Sequence, residues 1–206
     1  MVARMLFLVI PSLQSWNLMC RSKNTIHIHL NHVTWTTDCF GIRFAHTKTD
    51  VIGNDQAYVR HVYANPYNCD ICAVTALAKF LATFSSPKES GMLFDDKSYK
   101  RFQKYLKKIV KRNEVDIQRM GYCIDDIGVH SIRKGAVTYC CGGTTTAPHI
   151  AAICNRAGWT MGKVKDTYIK YAEAGDQHVG RVVAGLPVLS TKYACSPPFF
   201  VQEMEH

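Results

Sequence analysis

The chain has 206 residues, 47% hydrophobic and 20% charged, and carries a formal net charge of +9. This is the balance of an ordinary soluble globular protein, long enough to bury a core as one large domain or two small ones. No run approaches the roughly 20 apolar residues of a membrane span, and the basic balance favours a polyanionic partner, nucleic acid first and a membrane surface second.

In chain order, the apolar run Met5–Ile10 follows Arg4 but is too short for a secretory signal core and has no clean small-residue cleavage site after it. It reads as part of a helix over residues 5–21, with Pro11 near its beginning, or as the ragged start of a longer protein. Residues 25–35, 39–47 and 57–65 each alternate apolar and polar, the period of a half-buried strand. The turn-rich "KTDVIGND" joins the last two into a hairpin. The period then changes. Asn65-Pro66 makes a turn, a helix is expected from about Asp70 to Phe84, and 85–91 is a loop. A strongly two-faced helix follows from Asp95 to Arg112, then helices near 130–141, 148–157 and 161–172, and a mixed tail after Tyr171. With no internal repeat, the expected fold class is α+β: a single, mainly helical domain over 1–206 with a small three-stranded antiparallel sheet near the N-terminus.

Two features of this pattern carry chemical content. In "KSYKRFQKYLKKIVKR", Lys97, Lys100, Arg101, Lys104, Lys107, Lys108 and Lys111 recur every three or four residues, opposite Phe102, Tyr105, Leu106 and Ile109. Such a helix packs one face on the core and presents a cationic stripe that is either simply solvated or a row of DNA phosphate contacts. The second feature is the cysteines. Their number, nine, is odd, and their spacing shows no paired framework, which points to a reducing, intracellular compartment, the nucleus in a eukaryote. Cys69-x-x-Cys72 has the spacing of half a zinc site. No second pair matches it, so core packing is the expected role and metal binding is not expected.

"GVHSIRKGAVTYC" sets His130 and Arg133 one helical turn apart, so that both could face one anion. His178–Arg181 repeats the spacing, and the motif alone therefore decides nothing. More residues converge on the first pair. Trp159 stands nine residues before Tyr168, Arg21 ends the first expected helix, and Lys48 sits at the hairpin tip. The order Arg21, Lys48, His130, Arg133, Trp159, Tyr168 resembles the catalytic set of the tyrosine recombinases, the phage integrase family. The connecting text "HSIRKGAVTYC", "RAGWTMG", "GDQHVGR" and the final "PPFF" is most similar to the transposase-type members carried by crypton elements, over residues 12–200.

The resemblance implies a tyrosine-recombinase-like catalytic core acting on double-stranded DNA, with self-association into a four-protomer synapse and no cofactor. Tyr168 is then the nucleophile that holds the broken 3′ end as a phosphotyrosyl ester. Arg21 and Arg133 bind the non-bridging oxygens, since guanidinium offers paired planar donors and keeps its charge. His130 donates to the phosphate or takes the tyrosine proton, Lys48 protonates the leaving 5′ oxygen, and Trp159 contributes its indole N–H and packing. Tyr171 is the rival nucleophile and Arg43 the rival first arginine. Two departures stand out: Asn24 occupies a place where the family usually has an acid, and the 20 residues ahead of Arg21 are too few for the N-terminal clamp domain the resemblance leads one to expect, as in a fragment, a mis-started chain or a decayed transposase. An inactive DNA-binding remnant and a type IB topoisomerase-like enzyme are the alternative functions.

Overall fold

The computed structural model describes residues 14–21, 24–25, 27–36, 38–43, 59–83, 91–95, 97–143, 146–159 and 173–189. They form a mixed α+β fold. Residues 14–18 are helical. Three strands follow, β1 (Val33–Trp35), β2 (Cys39–Ile42) and β3 (Arg60–Tyr63), and then helices α1 (Ala73–Thr83), α2 (Ser98–Arg112), α3 (Glu114–Arg119), α4 (Val129–Gly142), α5 (Ile150–Ala157) and α6 (Glu173–Val183).

The sheet is antiparallel in the order β1-β2-β3. Phe40 lies opposite Val62 and Ile42 opposite Arg60, which is the pairing expected of the hairpin. The expected turn, with Lys48, lies outside the described residues. The first expected strand is much shorter than the alternation of 25–35 suggested. A single 3-10 turn, Leu30–His32, precedes Val33, closed by the His32 N–H on the His29 carbonyl at 3.0 Å.

Alternation also misjudged burial. All four residues of β2 and of β3 are buried, because the hairpin is covered on both faces. Phe40, Ile42 and Val62 pack with Ala73, Ala76, Leu77 and Phe80 of α1 and with Phe94, whose ring lies 5.3 Å from that of Phe80. Cys39 and Tyr63, on the opposite pleat, meet Ala184 and Leu186 just after α6. A second core joins Ala136, Val137 and Cys140 of α4, Ile153 and Ala157 of α5, and Val179, Val182 and Val183 of α6 around Met19. Each large apolar side chain fully buried in these clusters contributes about 1.5–3 kcal/mol.

The expected helix Asp70–Phe84 is seen as Ala73–Thr83, and its beginning explains the cysteine pair. Cys72 immediately precedes α1, and its buried sulfur accepts the N–H groups of Thr75 at 3.4 Å and Asn65 at 3.3 Å. It takes the place of an N-cap oxygen, while Cys69 is exposed and forms no disulfide. Asn65 makes the anticipated turn by accepting from Tyr67 and Asn68, each at 2.9 Å.

The tail after Tyr171 is where the sequence misled most. Residues 173–183 form α6, which packs directly on β3. Gly175 and Gly180 disguise it by their poor helix propensity. Gly180 is nevertheless required: a Cβ there would collide with the His61 carbonyl oxygen, so the helix crosses the strand at backbone contact. The short helix α3 was also unanticipated. The expected helix 161–172 lies outside the described residues.

Candidate functional site

The candidate site lies where three chain segments meet. The first is the helical stretch 14–18. Met19 follows it with φ 49°, a left-handed conformation that a side chain occupies at a cost of about 1–2 kcal/mol, and is held there by complete burial. The turn sends Cys20 inward and leaves Arg21 exposed two residues later. The second segment is the start of α4, where the Gly128 N–H donates to Ser131 Oγ at 3.1 Å. His130, in the first turn, is exposed, whereas Arg133 is only 9% exposed. The turn spacing thus holds, but the two side chains differ sharply in their access to solvent.

The third segment is the end of α5. Gly158 reverses the chain at φ 63°, and the Trp159 N–H bonds back to the Cys154 carbonyl at 2.9 Å. This closure brings the Trp159 ring against Arg133, with the guanidinium carbon 5.2 Å from the ring centroid. Arg133 also donates from Nη2 to the Ala157 carbonyl, an orphan acceptor of the helix end. Its Nε is buried with no hydrogen-bond partner. Burial first, and then the charges of Arg21 and Arg60, hold Arg133 below the usual arginine range, with Cys20 acting in the opposite sense. No carboxylate lies within ion-pair distance of Arg21 or Arg133 among the described residues. The result is a guanidinium covered on one side by an indole, with a buried Nε that has no hydrogen-bond partner, a type of group that pairs readily with an oxyanion.

Of the six residues of the expected set, Arg133 and Trp159 are brought together, Arg21 lies close enough to act on Arg133 by charge, and His130 is on the same helix as Arg133. Lys48 and Tyr168, with the rival Tyr171, lie outside the described residues. The rival Arg43 is exposed just after β2. The second His-x-x-Arg is accounted for structurally: Arg181 pairs with Asp38 at 3.1 Å and lies over the Tyr63 ring at 4.5 Å, tying α6 to the sheet.

In the basic stripe, Lys97, Lys100, Lys104, Lys107, Lys108 and Lys111 are exposed along α2. Arg101 differs, since its Nη1 pairs with Asp95 at 2.9 Å and the same carboxylate accepts from Ser98 Oγ at 2.6 Å. Arg101 is therefore engaged by Asp95 at the helix start, unlike the lysines of the stripe. On the opposite side Phe102 is fully buried, while Ile109 is 40% exposed.

Sequence reasoning missed a buried polar network beside this site. Arg156, fully buried in α5, donates to the carbonyls of Asn17 at 2.8 Å and His61 at 2.7 Å, and lies 2.6 Å from Asp176 Oδ1. Asp176 in turn accepts from the His61 N–H at 2.8 Å and meets His61 Nδ1 at 2.9 Å, while Glu173 faces the other ring nitrogen at 3.3 Å. Burial alone would raise the Asp176 carboxyl, but Arg156 and the two His61 contacts outweigh it and the pKa is lowered. One signal could have revealed this: Arg156 interrupts the apolar face Ile153, Cys154 and Ala157 of a short helix, and a charge on such a face requires buried partners.

Comparison of the chain with family models, curated proteins and solved structures gives no match.

Proposed function

We propose that the chain is the catalytic domain of a DNA breaking-and-rejoining enzyme of the tyrosine recombinase type. Tyr168 Oη attacks a backbone phosphorus, its proton leaves to a base such as His130, and the 3′ end becomes a phosphotyrosyl ester. The departing 5′ oxygen takes a proton from Lys48. Religation reverses these transfers, so the phosphodiester is conserved without external energy. The supporting observation is Arg133, a buried guanidinium beside Arg21 with an unpartnered Nε and no carboxylate in reach among the described residues. Charge gathers on the non-bridging oxygens in the transition state, and donors fixed beforehand act most strongly there.

A second reading, a DNA-binding remnant without strand exchange, draws support from α2, whose exposed lysines need no catalytic centre to hold a duplex. Covalent trapping separates the two. The protein is incubated with nicked duplexes made from DNA flanking its own gene and resolved in denaturing gels. An adduct that disappears with Tyr168→Phe but persists with Tyr171→Phe is the expected outcome. Binding with no adduct leaves the remnant reading.

A further inference from the structure

The Arg156 side chain holds, through backbone oxygens, the stretch that leads to Arg21 and the strand that carries Arg60, and its neighbour Ala157 holds Arg133. Arg156 Nε and Nη2 both reach the Asn17 carbonyl, at 3.0 and 2.8 Å, near the end of the helical stretch from which Arg21 emerges four residues later. Its Nη2 also holds the His61 carbonyl at 2.7 Å, next to Arg60 on β3. Nη1 donates to the main-chain carbonyl of Asp176 at 3.2 Å and makes a charge contact with that residue's carboxylate. The backbone of the same residue and its neighbour complete the arrangement: the Arg156 carbonyl accepts from Arg60 Nε at 3.0 Å, and the Ala157 carbonyl accepts from Arg133. Two consecutive carbonyls at the negative end of α5 thus each receive a guanidinium. The Arg156 side chain itself grips the segments that lead to Arg21 and Arg60.

Charge alone does not require this geometry. Asp176 could neutralise a lysine equally well, but a lysine has one compact head and cannot span carbonyls on three separate segments. The forked, multiply donating side chain fixes distances between segments remote in sequence, and an oxyanion site tolerates little error in such distances.

We propose that Arg156 is the positioning residue of the arginine site, setting Arg21, Arg60 and Arg133 around one oxyanion with Asp176 as its counter-charge. This inference rests on the phosphate-cleaving reading of that site. The test compares Arg156→Lys and Asp176→Asn with the unaltered chain, using circular dichroism and thermal unfolding to confirm that each variant is folded. A first readout needs neither ligand nor turnover. The side-chain N–H resonances of Arg133 and Trp159, assigned with Arg133→Lys and Trp159→Phe, should be displaced in both folded variants. A second readout is single-turnover adduct formation, expected to fall about 100-fold, the cost of an ångström-scale misplacement. A duplex with a methyl group in place of one non-bridging oxygen of the scissile phosphate has no charge for the arginines to neutralise. On that duplex the deficit should shrink to a few-fold.

Folded variants with unmoved Arg133 and Trp159 resonances overturn the proposal. Equal loss on both duplexes also overturns it, because a merely structural defect does not discriminate between them. Absence of any adduct with the unaltered chain sinks the cleavage reading alone, and the resonances still decide the positioning role.

Discussion

The protein carries two concentrations of positive charge, and they obey different physics. Along α2 the lysines stand in water on one exposed face, where each is a mobile point charge screened within about 8 Å at physiological salt. At the end of α5 the guanidiniums of Arg60, Arg133 and Arg156 are buried and oriented by helix-end and strand carbonyls. The first arrangement attracts any polyanion at little structural cost. The second holds three guanidiniums in fixed positions in a poorly hydrated setting, with Asp176 paired to Arg156, and on the proposed reading it rewards one anion in one place. Composition alone, a net charge of +9, does not distinguish them. Burial and backbone acceptors do.

The largest expected effect falls on the buried region. Arg133→Ala removes a donor fixed in advance, and adduct formation is expected to drop about 100- to 1,000-fold, as when one oxyanion donor is lost elsewhere. DNA affinity is expected to change little, because the lysine stripe is untouched. A filter-binding or anisotropy titration beside the single-turnover rate checks both halves. Affinity falling in step with the rate would erase the distinction between the two regions.

The converse change should act on binding. Replacing Lys104, Lys107, Lys108 and Lys111 by Gln is expected to flatten the slope of log affinity against log salt by up to about 3.6, at roughly 0.9 for each phosphate left without its lysine. The cleavage rate at saturating DNA is expected to remain within about two-fold, since no transition-state donor is removed. An unchanged slope would make the stripe a merely solvated face. Arg101 is left in place because its pairing with Asp95 already occupies it.

These two regions were unequally legible in the sequence. The stripe could be read from spacing alone, because a helix turns local periodicity into a face. Its burial pattern followed with small errors, such as the exposed Ile109. The arginine site was half legible. His130 and Arg133 announced a helix start, but that one is exposed and the other buried depends on the end of α5, where the Ala157 carbonyl and the Trp159 ring meet Arg133. Asp176 was invisible for a different reason: it belongs to a helix hidden by its glycines, and its partners His61 and Arg156 lie 115 and 20 residues away. Where the family resemblance leads one to look for an acid, at residue 24, there is an amide. The buried carboxylate that pairs with Arg156 comes from α6. Contacts of such separation leave no local period to read.

Trp159 tests how far the buried region extends toward solvent. Trp159 is 39% exposed as a residue, yet its ring covers Arg133 at 5.2 Å. A partly desolvated cation–π contact contributes about 0.5–2 kcal/mol, so Trp159→Leu is expected to slow adduct formation by about two- to 30-fold. That is well short of the loss from Arg133→Ala. Trp159→Phe keeps a π face while giving up the indole N–H and some coverage, and it should fall between the two. The order Trp, Phe, Leu is what separates stacking from simple exclusion of water: leucine excludes water about as well as phenylalanine but offers a cation no quadrupole. If Leu matches Phe, the indole acts only as a cover. If Phe is as slow as Leu while DNA affinity holds, the N–H itself reaches the phosphate, and the site has a donor beyond its arginines.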